Sequence, residues 1–196
     1  YTLAGGCFVT RQVTVNAQPT AISGTPTSIC AGFTTTLNST PSGGTWSSSS
    51  TAIGTVSTSG VVTGIAAGNT TISYTLTGGC FVTQPVTVNA QPIAITGTAS
   101  VCVGATTTLN STPSGGSWSS SNTSQATVGA STGVVTGVAA GTPTITYTLA
   151  GGCFVTRQVT VNAQPTSITG TASVCTGLTT TLNSTPSGGT WTSSGS

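Results

Sequence analysis

Short stretches of alternating apolar and hydroxyl-bearing residues run the length of the chain. At residues 71–76, Ile72, Tyr74 and Leu76 alternate with Thr71, Ser73 and Thr75. A period of two puts the first set on one face of a β-strand. The same pattern predicts strands over residues 21–28, 34–39, 53–56, 61–65 and 80–89, with Val86 and Val88 pointing inward in the last, and one more strand centred on Trp46. Near the start, a strand ends in Tyr1-Thr2-Leu3, turns through Gly5-Gly6 and continues as a strand over residues 7–16, which is the signature of a hairpin. Helices are not expected, because β-branched residues dominate, Gly and Pro interrupt every segment and no apolar stripe has helical spacing.

The pattern repeats. Residues 1–20 return letter for letter at 147–166 and nearly so at 74–93, a period of 73 residues. Fixed-period self-similarity marks a tandem array. Ala17-Gln18-Pro19 recurs at Ala90-Gln91-Pro92 and Ala163-Gln164-Pro165, placing short, proline-stiffened joins there. The expected organisation is the closing strands of a preceding repeat (1–18), two complete repeats (19–91 and 92–164) and the opening strands of a following one (165–196). Fragments at both ends suggest a window from a longer protein. In the second complete repeat Leu109, Trp118, Val128, Val135, Ile145, Tyr147, Leu149, Val159 and Val161 take the apolar positions. The first repeat has one extra residue before Cys30, and the second has one extra after Trp118, both in expected loops. Seven short strands per repeat, with turn residues every ~8–12 positions, predict an all-β chain of tandem Ig-like β-sandwich domains.

Composition narrows the function. Arg11 and Arg157 are the only charged side chains, with no Asp, Glu, Lys or His. Two separated arginines cannot track a phosphate backbone, so nucleic acid is not an expected partner. No run of about 18 apolar residues is present, so no membrane span is expected. General acid–base catalysis needs a titratable group near neutrality with a partner, and only Cys and Tyr are on offer, so no enzyme activity and no cofactor are expected. A surface without charge lacks like-charge repulsion and should self-associate.

Trp46-Ser47-Ser48-Ser49, Gly60-Val61-Val62-Thr63-Gly64 and Ala67-Gly68-Asn69-Thr70-Thr71-Ile72 recur as Trp118-Ser119-Ser120-Ser121, Gly133-Val134-Val135-Thr136-Gly137 and Ala140-Gly141-Thr142-Pro143-Thr144-Ile145. This succession, followed by a Val-Thr-Val strand, resembles the group 2 bacterial Ig-like domain. The resemblance covers both complete repeats and implies an extracellular scaffold at the bacterial cell surface, of the kind found in adhesin stalks and surface fibres. Two features depart from that family's pattern. Without acidic residues there are no calcium sites, and the paired cysteines are an addition.

The cysteines fall at two places per repeat: Cys7, Cys80 and Cys153 follow Gly-Gly, and Cys30, Cys102 and Cys175 precede x-Gly. Without His, carboxylates or any CxxC pair, they suit disulfides in an oxidising compartment better than metal. Five strands lie between the two cysteines of one repeat, which carries the chain to the opposite pole, whereas a disulfide needs Cα atoms within about 7 Å. Stacked neighbours would meet pole to pole. The preferred pair is therefore Cys30 with Cys153, the others pairing with copies outside the window. Intradomain pairing (Cys30–Cys80, Cys102–Cys153) stays open should a strand be miscounted, as does pairing between chains.

Trp46, Trp118, Tyr74 and Tyr147 are expected in the core, although Trp46, Trp118 and Trp191 could also serve as sugar-stacking platforms. Asn38, Asn69, Asn110, Asn122 and Asn183 each begin an N-x-S/T sequon, and hydroxyl-rich loops such as 47–51 could carry O-glycans. Thr34-Thr35-Thr36 is too short for a regular ice-binding array. Two function classes remain: a structural stalk or filament whose partners are neighbouring repeats and identical chains, and an adhesive module recognising surface glycans. Near-identical copies favour the stalk.

Overall fold

A computed structural model describes residues 1–194; the last two positions of the expected 165–196 segment lie outside them. The chain divides into two compact units, Tyr1–Gln91 and Pro92–Ser196.

In the first unit the strands are β1 (Ser28–Cys30), β2 (Thr34–Thr36), β3 (Thr45–Ser48), β4 (Gly54–Val56), β5 (Val61–Gly64), β6 (Gly68–Thr75) and β7 (Phe81–Asn89). They form one sheet in the order β1-β7-β6-β3 and a second in the order β2-β5-β4. All pairs are antiparallel except β1 with β7, which run parallel with Ile29 opposite Val88 and Cys30 opposite Asn89. The inner faces supply Ile22, Ile29, Leu37, Val62, Ile72, Tyr74, Val86 and Val88, a single buried cluster. Fully burying one such aliphatic side chain stabilises by about 1.5–3 kcal/mol, which makes the alternation at 71–76 and 86–88 the main source of cohesion.

The second unit repeats this with β8 (Thr96–Gly97), β9 (Ser100–Cys102), β10 (Thr106–Asn110), β11 (Ser117–Ser120), β12 (Ala126–Val128), β13 (Val134–Gly137), β14 (Thr144–Thr148), β15 (Phe154–Gln158) and β16 (Thr160–Asn162). Its core holds Ile95, Val101, Leu109, Trp118, Ala126, Val135, Ile145, Tyr147, Val159 and Val161. β14 is shorter than β6 because Pro143 stands where the first repeat has Thr70 and brings no N–H to the ladder. The extra residue after Trp118 is also put to use, since the Ala130 carbonyl accepts from the Trp118 amide at 2.8 Å. Beyond it, β17 (Thr169–Gly170) pairs with β18 (Leu182–Asn183).

Two expected strands take a different form. The segment 21–28 does not run as one strand. Ser23 bridges Asn38 on one sheet, and after Gly24 (φ 128°) the chain crosses to the other sheet as β1. The second repeat makes the same crossing, with β8 on β10 and β9 on β16. The expected strand over 7–16 is also absent. Only Thr2 and Phe8 bridge across the Gly turn.

The inserted Pro26 leaves a mark on the core. In the second repeat the Thr107 hydroxyl donates to the Thr98 carbonyl at 3.1 Å, and Thr180 likewise to Thr171 at 2.9 Å. Thr35, their counterpart beside the insertion, is 6% exposed, and its hydroxyl has no hydrogen-bond partner among the described residues. A satisfied bond is worth about 1 kcal/mol net, whereas a buried orphan costs desolvation with no return. Thr107→Val should therefore destabilise by about 1 kcal/mol, and Thr35→Val should be neutral or stabilising. Urea melts of the two variants check this, and equal losses would contradict it.

Candidate functional site

Two places on each repeat carry chemistry that sequence reasoning singled out: the Trp–Tyr pair at one end of the core and the cysteines at the ends of the first and last strands.

Trp46 on β3 and Tyr74 on β6 lie directly across the ladder, with ring centroids 4.7 Å apart and planes at 48°; Trp118 and Tyr147 repeat this at 4.6 Å and 46°. The Tyr74 hydroxyl donates to the Pro41 carbonyl and accepts from the Gly44 amide, both at 2.8 Å. Tyr147 does the same with Pro113 and Gly116, again at 2.8 Å. A side chain at Gly44 or Gly116 would occupy the space of the tyrosine ring, and the glycine before each has a positive φ, 93° at Gly43 and 95° at Gly115. Gly60 also approaches the tryptophan closely: its φ is +81°, and an added Cβ would sit 3.2 Å from the Trp46 ring. The tryptophan ring is thus packed on by the tyrosine and closely approached by the glycine. Trp118 is buried and Trp46 half-buried, packed on the core from its edge. Trp191 is 56% exposed, so the core position its sequence context predicts is not formed there.

The serines after Trp46 were not legible as a functional unit. Thr70 is a buried polar residue, and its hydroxyl lies 2.8 Å from Ser48 Oγ and 3.2 Å from Ser49 Oγ and accepts from the Ser50 amide at 3.2 Å. The Trp-Ser-Ser-Ser run thus packs its first residue on the core and sends its last two serines to a buried hydroxyl. Arg157 is another such case: its guanidinium donates to the Ile95 carbonyl at 2.6 Å in a part-buried bond. No periodic signal could have foretold this, since the first repeat has Gln84 at that place.

The parallel register fixes the cysteines. Cys30 stands opposite Asn89 at the far end of β7, while Cys80 immediately precedes Phe81 at its beginning. Nine residues of strand span about 30 Å, far outside disulfide reach. Cys102 and Cys153 are disposed in the same way, with Cys102 opposite Asn162. Cys30 and Cys153 are each in disulfide form, and Cys7, Cys80, Cys102 and Cys175 are free thiols. Residues 16–18 rest on the turn that carries Cys80. Asn16 Nδ2 donates to the Gly78 carbonyl at 3.2 Å, Gln18 Nε2 donates to that of Phe81 at 3.0 Å, and Cys80 Sγ lies 4.0 Å from the Asn16 carbonyl.

Among the described residues no group of three His, Cys, Asp or Glu is placed to hold a metal, and no helix is long and apolar enough to cross a membrane. Asn38, Asn69, Asn110, Asn122 and Asn183 are all exposed. Asn69 Oδ1 accepts from the Thr87 hydroxyl at 2.8 Å, and Asn122 Oδ1 from Ser124 Oγ at 2.6 Å, within its own sequon.

The tyrosine lock yields a test. Tyr147→Phe keeps the ring and removes the hydroxyl, leaving the Gly116 amide and the Pro113 carbonyl without it. The expected loss is about 1–3 kcal/mol, or a fall in melting temperature of about 4–8 °C per kcal/mol for a domain of this size. Calorimetry reads it, and an unchanged melt would show the hydroxyl to be idle.

The family profile described as Bacterial Ig-like domain (group 2) matches residues 9–84. Among solved structures, the C-terminal 282-residue fragment of intimin, crystallised with the intimin-binding domain of the translocated intimin receptor, is similar at 19% identity and a TM-score of 0.52, over 79% of this chain and 67% of that one. Invasin, a bacterial integrin-binding protein, matches at 18% identity and 0.48, over 86% of this chain and 45% of its own. Domains 4 and 5 of the S-layer protein SbsC match at 24% and 0.34, over 74% and 99%. No curated protein sequence matches the chain. At these identities the likeness to intimin is one of fold. Trp46-Ser47-Ser48-Ser49 and Gly60-Val61-Val62-Thr63-Gly64 lie inside the matched span and recur one period later. The chain is thus all-β, and its residues 9–84 match the profile of the group 2 bacterial Ig-like domain.

Proposed function

We propose that this chain is a structural, non-enzymatic repeat region of a bacterial extracellular filament or adhesin stalk, stiffened by disulfides between neighbouring repeats. Its divisions are the closing strands of one repeat (1–18), complete repeats at 19–91 and 92–164, and the opening strands of another (165–196). Cys30 is bonded to Cys153. The observation that carries this is the separation of the two cysteines of one repeat by the length of β7. A second observation supports it. Asn16 is the counterpart of Asn89, which stands opposite Cys30, and Asn16 lies against Cys80, the counterpart of Cys153. One repeat's first-strand cysteine and the next repeat's last-strand cysteine are therefore drawn to the same asparagine. That these are the two cysteines in disulfide form, the other four being free, agrees with the pairing.

Such a bond closes a loop on the order of 100 residues, worth about 4–5 kcal/mol in the chain-entropy description, and it limits the swing of one repeat against the next. A glycan-binding role has less behind it. The tryptophans that would stack sugars in complete repeats are packed against tyrosine and the core, Trp118 buried and Trp46 half-buried. Small-angle scattering tests the stalk reading directly. The oxidised chain should fit a single narrow distribution of maximum dimensions, and Cys30→Ser should broaden it. Identical distributions would remove the stiffening role.

A further inference from the structure

We infer that a groove beside Trp46 in the first complete repeat is a binding site for a single neutral sugar ring, and that the second repeat has closed the corresponding site. The inference goes beyond the stalk reading and is independent of how the cysteines pair.

The groove arises from a difference of one residue. In the second repeat the turn after β12 reads Gly129-Ala130-Ser131-Thr132-Gly133, whereas the turn after β4 in the first reads Ser57-Thr58-Ser59-Gly60. The longer turn covers the edge strand: the Ala130 carbonyl accepts from the Trp118 amide at 2.8 Å, and Trp118 is only 8% exposed. Trp46 stands in the same register, opposite Tyr74 as Trp118 is opposite Tyr147, so its amide also points away from the neighbouring strand. The shorter turn brings no carbonyl to that amide among the described residues, and Trp46 stays half-buried.

A cavity of about 200 Å³ is left open there. Leu37 and Tyr74, both buried, line it from the core side, and Asn38, Ser42 and Thr58 line it with Trp46. The Tyr74 hydroxyl is already committed to Pro41 and Gly44. Asn38, Ser42 and Thr58 are exposed, and the side-chain amide of the first and the hydroxyls of the other two have no hydrogen-bond partner among the described residues. Donors and acceptors thus surround an aromatic side chain without being used by the fold.

This lining selects the ligand. The volume equals that of about seven waters and falls below the roughly 300 Å³ at which pockets for drug-sized molecules begin, which suits one pyranose ring. No charged side chain lies anywhere in residues 19–91, so a sulfate, phosphate or carboxylate would lose water without gaining a counter-charge. A purely apolar group would cover the Asn38, Ser42 and Thr58 polar atoms and leave them unpaired. A neutral sugar meets both constraints. Its hydroxyls pair with the amide, the two side-chain hydroxyls and the Trp46 backbone N–H, and its C–H groups lie against the part of the indole that tyrosine and core leave uncovered. The tryptophan serves as one wall of a groove, not as a free stacking platform. For a ligand of about a dozen non-hydrogen atoms on such an open site, the dissociation constant is on the order of 1 mM.

NMR titration of the isotope-labelled 196-residue chain with the methyl glycosides of glucose, galactose, mannose and N-acetylglucosamine tests this. With at least one of them the indole N–H signal of Trp46 should shift and saturate, while that of Trp118 stays in place. Insertion of one alanine between Ser57 and Thr58, which gives the turn the length it has in the second repeat, should weaken binding at least tenfold without lowering the melt. Asn38→Ala, which removes an exposed side chain the fold does not use, should weaken it at least threefold, also with an unchanged melt. The methyl glycoside of glucuronic acid should bind no more tightly than that of glucose. A Trp46 signal indifferent to all the neutral glycosides would overturn the inference, as would binding that survives both changes or that favours the acidic sugar. Each of those results leaves the stalk reading intact, because that reading is tested by scattering and by the cysteines.

Discussion

A single strand pairing governs the architecture. The tail of the first strand leaves its own sheet, crosses the core and runs parallel to the last strand, with Ile29 beside Val88 and Val101 beside Val161. Hydrophobic burial drives the crossing, because Ile29 and Val101 are 5% and 6% exposed only once they lie against that strand. The consequence is chemical. The crossing delivers Cys30 and Cys102 to the end of the last strand, whereas Cys80 and Cys153 stand at its beginning. Two cysteines that could have stapled a small domain internally are held apart by a strand length.

The rest of each repeat keeps that arrangement in register. The tyrosine hydroxyl ties the loop before the tryptophan to the strand opposite, and the two rings fill the core end between them. Differences between the copies fall where this frame tolerates them. Pro26 enters the crossing segment and costs one buried hydroxyl its partner. Pro143 shortens a strand end and removes the Thr70 cluster, while Ala130 adds a carbonyl beside the edge strand.

Much of this was legible in the chain. Alternation at 71–76 and at 86–88 identified the inward residues, and the 73-residue period separated repeat from repeat. Period two cannot show which sheet a strand joins, however, so residues 21–28 read as one strand where the chain in fact changes sheets at Gly24. Nor can a strand-like pattern supply its own partners, and residues 7–16, with the same letters as a paired strand, stay unpaired but for one bridge. Trp191 has the sequence context of Trp118 and yet stands exposed, because burial depends on what covers a residue as much as on its type. The Ser48–Thr70 and Arg157–Ile95 bonds have no periodic signature, since they join single polar atoms brought together only by the finished fold.

The account turns on the distance between the two ends of the last strand within one repeat. Pulsed electron spin resonance can measure it with labels on Cys80 and on Phe33→Cys, an exposed position just past Cys30, after Cys7, Cys102 and Cys175 are changed to Ser. A parallel pairing in the register found here predicts a separation of about 30 Å, nine residues of strand. A narrow distribution below about 15 Å would bring the two cysteine positions to the same end and contradict it.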